Sequence, residues 1–72
     1  MRFFVFMRFT VNGEPFETQE AGTIAELLHK LGIEPGSVAV EVNLSIVKKA
    51  DHSTFRLNDG DKIEIVNFVG GG

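Results

Sequence analysis

From Met7 the chain alternates: Met7, Phe9 and Val11 fall on one side, Arg8 and Thr10 on the other. Phe, Val and Thr suit a pleated, half-buried surface, so residues 3–11 are predicted as a strand. Asn12-Gly13 follows. This is a two-residue hairpin signal, because both central positions of such a turn need positive φ. Glu14 to Thr18 is then the antiparallel return, and Pro15, which donates no hydrogen bond, favours an edge position for it. The period changes at Ile24, where Ile24, Leu27, Leu28 and Leu31 recur at i, i+3, i+4 and i+7. That spacing makes one apolar helical stripe. Thr23 and Glu26 have the spacing of a capping box, which satisfies two orphan N–H groups at the helix start. Gly32 supplies a left-handed stop, and Pro35 lies shortly beyond. The helix should span about nine residues. Val38 to Val42 reads as a third strand, which Asn43 to Val47 continues through a turn or bulge. Lys48 to Asn58 reads as loop, Asp59-Gly60 as a turn, and Lys62 to Val69 as the last strand.

The order hairpin, helix, strand, strand implies a two-layer α+β domain with the helix on one face of a mixed sheet. The expected fold is the β-grasp, or ubiquitin-like, plan: a mixed four-stranded sheet with one main helix packed on one face. Ile63 and Ile65 should face the helix, while Glu64, Val66 and Phe68 face outward. Phe4 and Phe6 share parity with Arg8, so a continued strand would point them away from the core. Met1-Arg2-Phe3 and Met7-Arg8-Phe9 echo each other. Two readings of residues 1–6 stay open: an extension or upstream start ahead of a natural beginning at Met7, or an apolar contact surface built by Phe4 and Phe6.

At 72 residues, with 43% hydrophobic positions and seven Phe, there is material for one core and one domain, residues 1–72. A chain this short buries only about 60% of its unfolded surface. There is no Cys, which excludes disulfides, thiolate zinc sites and a persulfide carrier on this chain. The formal net charge is −3, and Lys48-Lys49 is the one adjacent basic pair. A nucleic-acid module would carry a clustered basic face, so no nucleic-acid partner is expected. The apolar start is too short for a signal peptide, and no run approaches the ~20 residues needed to span a bilayer. A cytoplasmic protein without a membrane partner is the expectation.

The sequence ends Asn67-Phe68-Val69-Gly70-Gly71-Gly72. One reading is an ordinary frayed end. The other is chemical. Without a Cβ, Gly70 and Gly71 can take backbone conformations closed to other residues and thread a narrow tunnel. They would form a flexible tail, residues 70–72, presenting the carboxylate of Gly72 for adenylation. Exposed Val66 and Phe68, with Val69, would form an apolar patch beside it, and such patches mark partner sites.

The chain resembles the ThiS family, the sulfur-carrier proteins of thiamine biosynthesis. The resemblance rests on V-N-G at Val11–Gly13, T-I-A-E-L-L at Thr23–Leu28, V-A-V-E-V-N at Val38–Asn43 and I-V at Ile46–Val47. G-D-K-I-E-I-V at Gly60–Val66 and the ending F-V-G-G-G complete it, so that it covers Met7 to Gly72. The family often has Pro-Arg after the I-V pair, where this chain has Lys48-Lys49. One positive charge is kept there, but proline rigidity and bidentate Arg contacts are not. The resemblance implies a non-enzymatic carrier. Gly72 would be adenylated by an E1-like enzyme of the ThiF type, and sulfur from a cysteine desulfurase would replace AMP to give a thiocarboxylate. Thiazole synthase, of the ThiG type, would receive the sulfur. No cofactor would be bound, and ATP would be used by the activating partner.

Competing readings are a molybdopterin-synthase small-subunit-like sulfur carrier, a ubiquitin-like protein modifier, and a plain β-grasp interaction module. The molybdopterin branch usually carries proline before the glycines, so Phe68-Val69 favours the thiamine branch. No catalytic side chain is expected, since no nucleophile–His–acid grouping is present. His29 and His52 lack companions at ligand spacing, so no metal is expected and both are read as solvent-exposed. Asp59 and Asp61 flank Gly60 without the ligand set of a calcium loop, and turn chemistry is the better reading. Glu41 and Glu64 are read either as a solvated strand face or as contacts for a basic partner surface.

Overall fold

In the computed structural model, residues 6–19 and 22–67 are described. Strands β1 (Met7–Val11) and β2 (Glu14–Thr18) form the predicted hairpin. Its two-residue turn has φ of 51° at Asn12 and 82° at Gly13, the left-handed pair that matches the twist of the flanking strands. Helix α1 covers Ile24–Leu31, eight residues. Strands β3 (Val38–Val42), β4 (Ser45–Val47) and β5 (Lys62–Asn67) follow. The sheet order is β2-β1-β5-β3-β4. The β1–β5 pair is parallel and the others antiparallel.

The sheet therefore has five strands where the sequence reading counted four. The extra one is β4, which the sequence reading left as an extension of β3. Asn43 and Leu44, at φ 52° and 73°, reverse the chain in two residues and lay Ser45–Val47 back against Val40–Val42. This is the same turn type as Asn12-Gly13, made with Leu where Gly is the easy choice. A left-handed Leu costs roughly 1 kcal/mol, and that is why the turn is hard to see in the sequence. Pro15 sits on β2, an edge strand as expected. The first strand begins at Met7 rather than residue 3, with Phe6 outside it and exposed. Residues 1–5, and the predicted continuation of the last strand through Phe68 and Val69, lie outside the described residues.

The helix packs on one sheet face. Ile24, Leu27 and Leu28 are fully buried, and Leu31 is partly so. They meet Phe9, Val38, Val40, Val42, Ile63 and Ile65 from the sheet. Burying each large aliphatic side chain contributes roughly 2 kcal/mol. Phe9 and Phe16 stack across the hairpin at 5.4 Å between ring centroids.

Both helix ends are closed. The Glu26 and Leu27 amides donate to the Thr23 hydroxyl and carbonyl at 3.2 and 3.0 Å. The Ile24 and Ala25 amides donate to the Phe55 and His52 carbonyls at 3.2 and 2.9 Å. All the N-terminal orphan donors of the helix thus have partners, half of them from the segment between β4 and β5. That segment is not plain loop: Lys49–Asp51 forms a 3-10 turn, and Arg56 bridges to Thr23. The Glu26 carboxylate accepts the amides of Gly22 and Thr23, each at 2.9 Å. Those bonds, Gly22 first and then Thr23, hold its pKa below the ordinary 4.5, with Arg56 adding a smaller pull and desolvation opposing. At the other end Gly32, at φ 71°, donates to the His29 carbonyl.

His52 is buried, contrary to the solvent-exposed reading. Its Nε2 lies 3.1 Å from the Val47 carbonyl, and Nδ1 has no hydrogen-bond partner. The ring ties the end of β4 to the segment that caps the helix. His29 is exposed on the helix surface. Among the described residues, no three His, Cys, Asp or Glu side chains gather as a metal site requires, and no helix is long and apolar enough to cross a membrane.

Candidate functional site

The predicted site is the chain beyond β5, so the geometry of β5 decides how that segment is presented. β5 lies between β1 and β3, with two buried isoleucines, Ile63 and Ile65, against the helix. Its backbone is gripped at two points by asparagine side chains from the two tight turns. The Asn12 carboxamide accepts the Ile65 amide at 2.7 Å and donates to the Ile65 carbonyl at 3.1 Å. β1 has already turned away there, so the side chain continues the ladder that the main chain leaves.

Asn43 does the same at the other end. Its Oδ1 accepts the Lys62 amide at 2.9 Å, and its own amide donates to the Lys62 carbonyl at 2.7 Å. Its Nδ2 donates to Asp61 Oδ1 at 2.9 Å. The buried Asp61 carboxylate also accepts the Asn58 amide at 2.7 Å. Buried carboxylates need such donors, so Asp61 is a structural turn residue. Asp59 likewise accepts the Arg8 amide at 2.7 Å. Turn chemistry was the correct reading of both. β5 is therefore a stem fixed at Lys62 and at Ile65, two residues before the described strand ends at Asn67.

The sheet face away from the helix is open. Register places Ile46, Glu41 and Glu64 in one row across β4, β3 and β5. Ala39 and Val66 form the next row, toward the end of β5. Val66 is 55% exposed, Ile46 72% and Leu44, at the hairpin tip, 75%. Glu41 and Glu64 are half-buried between them. Farther along the face, Arg8 Nε meets Glu17 at 2.8 Å, the one ion pair among the described residues. A cleft of about 350 Å³ beside Pro15 and Phe16 lies at the Gly60 end of the sheet, away from Asn67.

Of the predicted site residues, Val66 is where the sequence placed it, exposed on the open face beside the end of β5. Phe68, Val69, Gly70, Gly71 and Gly72 lie outside the described residues. The sequence reading missed Asn12 and Asn43 as side-chain clamps, although both sit in the V-N pairs that carried the resemblance. It also missed Leu44 and Ile46 as exposed apolar groups, because it merged β4 with β3.

Comparison with known proteins gives a consistent picture. The sequence model of the ThiS family matches residues 7–72. The chain is 46% identical over 66 residues to a protein named thiazole synthase from Paramagnetospirillum magneticum, which covers 92% of this chain and 20% of that one. It spans only about one-fifth of the length of that relative and of a second thiazole synthase, from Magnetococcus marinus. It is 44% identical over 54 residues to the sulfur carrier protein ThiS of Bacillus subtilis, covering 75% of this chain and 82% of that one. The crystal structure of the thiamine biosynthesis protein ThiS from Geobacter metallireducens superposes with a TM-score of 0.79 at 33% identity, covering 92% of this chain and all of that one.

Proposed function

This chain belongs to the ThiS family, and on that premise we propose that it is a sulfur carrier of thiamine biosynthesis, loaded as a thiocarboxylate on Gly72. The observation that carries the reading is the family match itself, which runs through the final glycines rather than stopping at the globular part. A clamped stem supports it, because a fixed β5 delivers whatever follows Asn67 from one defined point. The carrier supplies no catalytic side chain.

A carboxylate is a poor electrophile. Attack of a Gly72 oxygen on ATP, catalysed by an E1-like enzyme, gives an acyl adenylate with AMP as a good leaving group. Sulfur derived from a cysteine desulfurase then replaces AMP. The thiocarboxylate sulfur is a soft nucleophile, suited to delivery to a thiazole synthase. ATP belongs to the activating partner, and the cycle runs in the cytoplasm. Gly70 and Gly71 give access to the activating site, and the apolar patch of Val66, Phe68 and Val69 docks the activating enzyme.

Two variants test this. One residue appended after Gly72 should abolish ATP–pyrophosphate exchange by the activating enzyme. Phe68→Ala should raise the KM of that exchange while the domain stays folded. Exchange that proceeds unchanged with the appended residue would sink the carboxylate chemistry.

A further inference from the structure

The half of the open face nearer the β3–β4 hairpin carries features that folding does not ask for. Leu44 holds a left-handed backbone, φ 73°, and its side chain is three-quarters exposed. Asn or Gly would make the same turn without strain and without an apolar surface. Ile46, one strand position further, is nearly as exposed, and Val66 continues the apolar surface across the sheet. Between Ile46 and Val66 lie Glu41 and Glu64, registered directly opposite each other. Like charges in that arrangement repel, and no ion pair among the described residues relieves them. An apolar surface with an unneutralised negative centre is complementary to a protein surface that offers a cation between apolar contacts.

We propose that Leu44, Ile46 and Val66, with Glu41 and Glu64 between them, form the docking surface for a thiazole synthase, whose contacting surface presents a basic side chain to the two carboxylates. This rests on the carrier reading above. The synthase is favoured as occupant because two relatives named thiazole synthase hold a matching 66-residue unit within one longer chain. In those proteins the unit is permanently within reach of the rest of the synthase. The row Ile46–Glu41–Glu64 crosses three strands, about 10 Å, so a standard interface of about 800 Å² per partner covers it and Leu44 together.

The test is a titration of the purified chain with thiazole synthase from the same host, followed by calorimetry. Leu44→Asn and Ile46→Ser should each weaken the Kd by about tenfold or more, as loss of an apolar anchor does. Leu44→Asn should melt at or above the wild-type temperature, so misfolding does not confuse the result. The wild-type Kd should rise with salt, and the Glu41→Gln, Glu64→Gln double variant should flatten that dependence. Synthase affinities equal for all variants, or no wild-type binding, overturn the proposal. Affinity lost only toward the activating enzyme overturns it too and assigns the surface to that partner. Sulfur loading of the wild-type chain is recorded in parallel. Normal loading with insensitive synthase binding removes this inference alone, whereas failure to load removes the carrier reading itself.

Discussion

Replacing Asn12 with Ala should destabilise the domain far more than an exposed turn position normally would. The carboxamide makes two hydrogen bonds to the Ile65 backbone, at 2.7 and 3.1 Å. Each contributes about 1 kcal/mol net. Asn12 is also left-handed, φ 51°, a conformation Asn tolerates and Ala resists by about 1 kcal/mol. The expected loss is about 3 kcal/mol, against a total stability of roughly 5 kcal/mol for a chain of this size. That corresponds to a fall in Tm of roughly 12–24 °C. Asn12→Gly separates the two contributions. It keeps the left-handed turn and loses only the amide, so it should cost about 2 kcal/mol. Urea unfolding followed by circular dichroism gives both values, and hydrogen exchange at the Ile65 amide reads the clamp directly. An Asn12→Gly protein as stable as wild type, with the Ile65 amide still protected, would refute the claim that this side chain holds the stem.

Three further outcomes follow from the same geometry. Asn43→Gly should cost more than Asn12→Gly in urea unfolding, because it also strips one donor from the buried Asp61 carboxylate. Glu26 has a lowered pKa, so its contribution is complete above the ordinary carboxylate value and is lost as pH falls through its lower folded value. The stability difference between wild type and Glu26→Gln should therefore be flat above about pH 5 and shift against wild type as the pH falls below about 4. Val66→Ala should leave stability within about 0.5 kcal/mol of wild type, since the side chain is exposed, while raising the KM of the activating enzyme.

The parts of the fold legible in the sequence were the local ones. Asn12-Gly13, the Thr23–Glu26 box and the Ile24–Leu31 stripe each specify structure within a few residues, and each formed as read. β4 was missed because its turn uses Leu44 in a conformation Leu rarely adopts, and three residues are too few to show a period. The burial of His52 was missed because it depends on Val47 and the helix start, neither of which its immediate neighbours announce. The clamp residues were legible as turn formers but not as stem holders. Asn12 and Ile65 are 53 positions apart, and no local pattern records a side chain finishing another strand's ladder. At the site, alternation along β5 correctly set Val66 outward and Ile63 and Ile65 inward. The exposed Leu44 and Ile46 became visible only once register placed β4 beside β3.

The most direct test of the central claim is the intact mass of the purified chain after incubation with an active E1-like enzyme, ATP and a sulfur source. The account predicts a gain equal to replacing one oxygen by sulfur, localised to Gly72 by fragmentation. An adenylate at Gly72 that never exchanges AMP for sulfur, or an unchanged mass with a demonstrably active enzyme, would contradict it.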